Sequence, residues 1–362
     1  MTDRRAPLSG NAKRCAGRAD RACEGGGASW HRASWPSVAT TSALIPVLTI
    51  VISKRYRRSM HNRLLALPLV VGAAALALTG CATSSASGDA SSDGKIAVVA
   101  STNVYGSIVQ SIGGDQVSVT SILNDPSQDP HSFESSARTQ LAVSKADLLI
   151  ENGGGYDDFM TTLADASDTK ADTINVVKLS GLDKGGDAEF NEHVFYSYPT
   201  MVKLVDDVTK RLSALDAGDE ATFEQNADAL TTKLEDLESQ TADLKKTYDG
   251  EKVAYTEPVP GYLFDAIGLD NVTPEAFSEA IEEGDDVPPA ALKDTLALFS
   301  NKSVELLAYN DQTSSAETEQ VKKAADQGDV PVVGVTETLP KGQDYVSWQQ
   351  ANIDAVQAAL QK

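Results

Sequence analysis

Histidine is scarce in this 362-residue chain, with four in all: His31, His61, His131 and His193. With so few imidazoles, and no nucleophile motif beside them, a Ser-His-Asp arrangement is not attractive. Positive charge is also short: 31 Lys and Arg stand against 52 acids, for a net charge of −21. A duplex-binding surface needs clustered Lys and Arg to displace counterions, so nucleic acid is excluded as a partner. After Cys81 only two arginines remain, Arg138 and Arg211, which disfavours large anionic cargo such as siderophores or haem. The Gly-rich stretch Asn152–Tyr156 lacks both GxGxxG spacing and a P-loop lysine, and reads as a turn. What is present is an ordinary soluble average, 41% hydrophobic and 23% charged, which excludes a polytopic membrane protein, a collagen and a fully disordered chain. The length favours two lobes.

The charge is segregated along the chain. Residues 1–59 hold 11 Lys and Arg against 3 acids, whereas everything from Cys81 onward holds 19 against 49. From Met60 the chain reads MHNRLLALPLVVGAAALALTGC, a basic start, an apolar run Leu64–Leu78, small residues and a cysteine. The run is shorter than the roughly 20 residues a membrane span requires and carries the marks of a secretory signal. Leu78-Thr79-Gly80-Cys81 resembles the lipobox of bacterial lipoproteins, which implies acylation and cleavage at Cys81. Residues 60–80 are therefore expected to be a lipoprotein signal peptide. Residues 81–94 form a flexible, small and polar tether. Residues 1–59 are expected to be an upstream mis-start of translation without ordered structure. Acylation at Cys81 would place the rest outside the cytoplasm, on the outer face of the cell membrane.

Beyond the tether, strand and helix patterns alternate. Lys95–Ser101 is an apolar β-branched run, Val104–Ile112 is helical, Gln116–Leu123 is strand, Arg138–Lys145 helical, Ala146–Glu151 strand, Asp157–Ala166 helical and Thr173–Leu179 strand. From Pro199 to Tyr248 no strand signal occurs, and Glu220–Thr247 predicts one long amphipathic helix. Alternation resumes with Lys252–Thr256, Ser303–Tyr309 and Val330–Thr336 as strands among helices. The fold class is α/β: two lobes with parallel sheets flanked by helices, joined by one long rigid helix. The divisions are 95–216 for the first lobe, 217–249 for the linking helix and 250–362 for the second lobe. Ligands of such sheets collect beyond the carboxyl ends of the strands, in the cleft. The acid run Glu282–Asp286 reads as a solvated loop.

His131 and His193 both fall in loops of the first lobe. With carboxylates from the second lobe they would make a metal site. Asp129-Pro130-His131-Ser132-Phe133-Glu134, then Ala146-Asp147 with Asn152-Gly153, and Glu192-His193-Val194-Phe195 together resemble the zinc- and manganese-binding solute-binding proteins of bacterial ABC importers, of the cluster A-I type. The likeness extends over about residues 95–362. It implies that His131 and His193 are the first two ligands, and that Glu257, in Tyr255-Thr256-Glu257-Pro258 before Gly261-Tyr262, is the third. It also implies that Glu337, in Val335-Thr336-Glu337-Thr338, is the fourth, with Asp311 as the competing fourth ligand. Phe195 replaces the tryptophan of the family motif, and Ser197 stands where an acid is common. No histidine-rich acidic loop occurs.

Two imidazoles and two carboxylates neutralise a divalent cation, and bidentate carboxylates suit Mn²⁺, whereas intrinsic affinity still rises toward Zn²⁺. The implied function is capture of one Mn²⁺ or Zn²⁺ and its delivery to an ABC permease with its ATPase, by a monomer that is not an enzyme. A metallohydrolase and an adhesin with a structural metal are the alternatives; the first needs a spare acid or base beside the metal, and no spare histidine is found. If Cys81 carries the anchor, Cys81→Ser should release the protein from the membrane fraction, and a variant that stays membrane-bound would place the anchor elsewhere.

Overall fold

The structure is a computed structural model that describes residues 94–125, 128, 130, 133–185 and 190–362. Residues 1–93, with the expected upstream extension, signal peptide, most of the tether and Cys81, lie outside the described residues, as does His131.

The first half runs β1 (Ile96–Thr102), α1 (Asn103–Gly113), β2 (Val117–Leu123), α2 (Ala137–Ser144), β3 (Leu148–Glu151), α3 (Asp158–Ser167), β4 (Asp172–Asn175) and α4 (Val176–Ser180). Two long helices follow, α5 (Tyr198–Leu215) and α6 (Glu220–Tyr248). The second half is β5 (Lys252–Tyr255), α7 (Gly261–Ile267), β6 (Asp270–Asn271), α8 (Glu275–Glu282), α9 (Pro289–Ser300), β7 (Leu307–Asn310), α10 (Ala316–Gln327), β8 (Val332–Val335) and α11 (Tyr345–Leu360). The four-stranded sheets have orders β2-β1-β3-β4 and β6-β5-β7-β8, and every pairing is parallel. Both sheets thus reverse their winding direction between the first and third strands, β1/β3 and β5/β7. At such a switch point the loops leave in opposite directions and open a crevice.

One expected strand is shorter than its composition suggests. Thr173–Leu179 is β-branched and apolar, yet the strand stops at Asn175 and the rest turns into α4. The Asn175 side chain accepts from Lys178 N at 2.9 Å and caps the new helix, while its amide donates to Glu151 Oε1 at 2.8 Å. A side-chain cap offers the backbone an alternative to the ladder, and here it overrides propensity.

The strands divide their apolar residues by the two-residue period. Ile96, Val98 and Ala100 of β1, with Leu148 and Ile150 of β3, enter one large core, and Val99 and Leu149 face a smaller cluster with Phe159 and Met160. In the second sheet Val253 and Ala308 enter that same large core, and Ala254 and Leu307 face a second small cluster with Phe277 and Phe299. The large core therefore runs through both halves. The long helix α6 stitches it: Phe223, Ala227, Leu230, Leu234, Leu237, Thr241 and Leu244 are buried at alternating four- and three-residue steps. That narrow stripe meets α1 and α5 of the first half and α7 and α11 of the second, so one helix serves both halves.

Because Leu234 is fully buried in this shared core, Leu234→Ala should cost about 2–5 kcal/mol. Urea unfolding followed by circular dichroism should retain a single cooperative transition; two separated transitions would show that the halves melt independently.

Candidate metal centre

The site forms where the loops beyond the strand ends meet. On the first-half side, Asn152 follows β3 and is held in place by Asp157, whose carboxylate accepts from the backbone N–H of Asn152 at 2.6 Å and of Gly153 at 2.8 Å. Gly153 has φ +78°, and a Cβ there would lie 2.2 Å from the Asn175 amide, so only glycine fits. Burial pushes the Asp157 carboxyl up to about 6. Asn152 in turn accepts from the Tyr105 hydroxyl and donates to the Glu192 carbonyl at 3.0 Å. That bond fixes the segment that carries His193.

His193 is fully buried, with its ring edge-on to Tyr156 and Phe195. Its Nδ1 lies 2.8 Å from Asn191 Oδ1, and its backbone N–H donates to the same oxygen at 3.0 Å. The Asn191 amide is itself oriented, because Nδ2 donates to the Pro258 carbonyl at 2.9 Å. An amide oxygen can only accept, so Nδ1 carries the proton, and in the neutral ring Nε2 bears the lone pair that a metal would take. Gly261 makes room for this link: a Cβ there would stand 2.5 Å from Asn191 Nδ2. Asn191 thus ties the histidine of the first half to the loop just after Glu257 in the second.

Three carboxylates of the second half face the same space. Glu257 follows β5 and Glu337 follows β8, both buried. Asn310, at the end of β7, donates through Nδ2 to Glu257 Oε2 at 2.7 Å and to Glu337 Oε1 at 2.8 Å. One amide nitrogen thus reaches both acids, with Thr313 Oγ1 also at 3.3 Å, and holds them as a pair. Gln312 clamps the second of them, since its Oε1 accepts from Glu337 N at 2.5 Å and Thr338 N at 3.0 Å. The third carboxylate is Glu282, the last residue of α8, whose Oε1 is 3.4 Å from His193 Nε2; Glu337 Oε2 is 3.9 Å from the same atom. The expected solvated loop therefore begins one residue late. Glu283–Asp286 are exposed, but the Glu282 carboxylate is only 5% exposed, because it continues the face of Ser278 one helical turn earlier, which is buried.

Of the residues singled out from sequence, the structure brings His193, Glu257 and Glu337 together. Asp311 is exposed and turned away: its carboxylate lies where a Cβ on Gly334 would be, 2.3 Å from Oδ2, with Lys322 opposing the upward push of burial on its pKa. Asn310, its neighbour, points inward instead. Among the described residues no group of three or more His, Cys, Asp or Glu side chains is arranged to hold a metal ion as it stands. Bonds of about 2.1 Å place adjacent ligands about 3.0–3.4 Å apart, so the 3.9 Å separation of Glu337 from His193 would have to close slightly around an ion. Sequence reasoning missed Asn191, Asn310, Gln312 and Glu282. The first three are amides, which carry no metal signature; for Glu282 the helical phase of Ser278 and Ile281 was the available signal.

The sequence profile of the ZnuA family, "zinc-uptake complex component A periplasmic", matches residues 98–359. The chain belongs to this family. Among its relatives, the manganese ABC transporter substrate-binding lipoprotein ScaA of Streptococcus gordonii is 25% identical over 305 residues, 79% of this chain and 95% of the relative. The manganese ABC transporter substrate-binding lipoprotein PsaA of Streptococcus pneumoniae is 25% identical over 314 residues, 81% of this chain and 98% of the relative. Of the solved structures, the periplasmic zinc-binding protein TroA of Treponema pallidum is 20% identical at a TM-score of 0.64, covering 74% of this chain and 99% of that one. A mutant structure of the laminin-binding adhesin Lmb of Streptococcus agalactiae is 19% identical at 0.63, covering 73% and 99%. Those structures share the fold of two helix-flanked parallel sheets. As a ZnuA-family member the chain is a solute-binding component of a metal ABC importer and not an enzyme.

Burial, with Glu282 and Glu337 beside it, pushes Glu257 of this ZnuA-family protein up to about 9. Above the ordinary carboxylate range the unfolded chain gives up this proton while the folded chain keeps it. Stability without metal should therefore fall as pH rises from about 5 toward about 9, and Glu257→Gln should flatten that slope. Urea midpoints at about pH 5.5 and about pH 8.5 check this; a midpoint that rises with pH would contradict it.

Proposed function

We propose that this ZnuA-family protein captures one Mn²⁺ or Zn²⁺ between its two halves through His131, His193, Glu257 and Glu337, and delivers it to an ABC permease and its ATPase. The observation that carries this reading is the His193 ring, locked by Asn191 with Nε2 toward the carboxylates of Glu282 and Glu337. An imidazole acceptor and carboxylate oxygens held this close repel one another unless a proton or a cation sits between them. A divalent cation answers all of them at once.

The curated relatives named above are manganese transporter lipoproteins, and the solved neighbours include a protein described as zinc-binding. Oxygen-rich coordination favours Mn²⁺, and the intrinsic affinity order favours Zn²⁺. With Asp311 facing Lys322 outside the cluster, Glu337 takes the fourth position. Cys81 carries the lipid that holds the protein, as a monomer, to the outer face of the membrane, and residues 82–94 tether the lobes to it. The lobes are residues 95–216 and 250–362, and residues 217–249 link them. Among the described residues no helix is long and apolar enough to cross a membrane.

Isothermal titration of the protein beginning after Cys81 should show one site per chain for Mn²⁺ and for Zn²⁺. His131→Ala and His193→Ala should each weaken both metals by roughly tenfold or more, since even the loss of a residue that orients a ligand does as much. Binding should also fade as pH drops from about 7 toward 5, because protons compete for the imidazoles near pH 6.5. Unchanged affinity in both histidine variants would sink the assignment. Elemental analysis of protein purified from its own host without chelator identifies the metal.

A further inference from the structure

One acid of the centre belongs to no part of the proposed ligand set. Glu282 ends α8, and the same face of that helix carries Glu279 three residues earlier and Glu275 seven residues earlier, positions that share one side of a helix. Their exposure grades inward: Glu275 is exposed, Glu279 is half-buried, and the Glu282 carboxylate is 5% exposed. These three acids and Glu192 line one cavity of about 310 Å³. Glu282 lines that cavity and also stands 3.4 Å from His193 Nε2, so it belongs to the cavity and to the metal centre together.

The opposite face of α8 explains why the stripe is held there. Phe277 and Ile281 are buried in the small apolar cluster behind the second sheet, which fixes the rotation of the helix. A carboxylate in the last turn of a helix opposes the macrodipole, and this one is also buried beside two others. Two further observations at the same place point to a cation. Glu257 Oε1 is buried without a hydrogen-bond partner, and the fixed tautomer of His193 presents Nε2 toward carboxylate oxygens. The first of these does not depend on the acid stripe, and the second involves Glu337 as well as Glu282.

We propose that Glu282 is an additional metal ligand of the closed centre, and that Glu275 and Glu279 form the acidic ramp along which the hydrated cation reaches it. The inference rests on the binding function above and extends it with a residue that sets affinity and one route of access. A cation drawn into the cavity exchanges waters for the Glu282 carboxylate first, then meets His193, Glu257 and Glu337. The added oxygen donor raises the oxygen share of the coordination shell, which tells for Mn²⁺ over Zn²⁺.

The test uses Glu282→Gln, nearly the same in shape, and the pair Glu275→Gln with Glu279→Gln, with Glu283→Gln as an exposed acid one residue beyond the ramp. In titrations with Mn²⁺ and Zn²⁺, Glu282→Gln should weaken Mn²⁺ by roughly tenfold or more and Zn²⁺ by less. In stopped-flow mixing with Mn²⁺ at low ionic strength, the ramp pair should slow association several-fold. That difference should shrink with added salt, as steering by fixed charge does, and Glu283→Gln should change neither quantity. Wild-type binding with an unaltered Mn²⁺ affinity in Glu282→Gln would overturn the ligand role alone, and an unaltered association rate in the ramp pair would overturn the route. If the wild-type protein bound neither metal, the proposed function would fall and this inference with it. Circular dichroism of each variant checks that it is folded.

Discussion

Carboxylates packed together out of water demand a positive charge between them, and the centre of this protein is built around that demand. Glu257, Glu282 and Glu337 converge with one imidazole where their mutual repulsion is little screened. Burial and the two neighbouring acids push Glu257 up to about 9. What keeps the carboxylates together without metal is one amide, Asn310, shared between Glu257 and Glu337. It neutralises nothing, but it satisfies one oxygen of each. A neutral donor holds the two acids at a fixed spacing without competing with a cation for the site, as a lysine would.

The shared core makes this arrangement possible. The large apolar cluster passes through both halves by way of α6, and polar links cross between them as well. Tyr196 donates to the Thr336 carbonyl at 2.8 Å, Tyr345 to the Phe195 carbonyl at 2.6 Å, and Asn103 exchanges two bonds with the Leu339 backbone at 3.2 and 2.9 Å. Each link lies within a few residues of a group in the centre. Geometry at the centre is thereby inherited from the packing of the whole chain, and the side chains that line it move only if these contacts shift.

Both sheets place their switch points, β1/β3 and β5/β7, toward the cleft. Asn152 leaves from β3, Glu257 from β5 and Asn310 from β7. The parallel topology sends every strand's carboxyl end the same way, so loops distant in sequence gather at one place. Membership in the ZnuA family accounts for the pattern as an inherited one; the geometry accounts for why it works.

Much of the architecture was legible in the sequence, because it follows from period. Alternating apolar runs marked the strands, the spacing of leucines in Glu220–Tyr248 marked α6, and rare histidines in loops pointed to a metal. The strand assigned to Thr173–Leu179 stops at Asn175 because a side-chain cap outweighed the β propensity of Val176 and Val177. Glu282 read as part of a solvated acid run because composition counts charges and not directions; only the packing of Phe277 and Ile281 decides that this carboxylate turns inward while Glu283 does not. Asn191, Asn310 and Gln312 carried no signal at all. The sequence by itself determined which elements form and which residue types are available to a cation, since those depend on local period and chemistry. The tertiary structure alone decided which acids meet His193 and which amides aim them, because those contacts join residues from 25 to 144 positions apart, and such distances close only when the chain is packed.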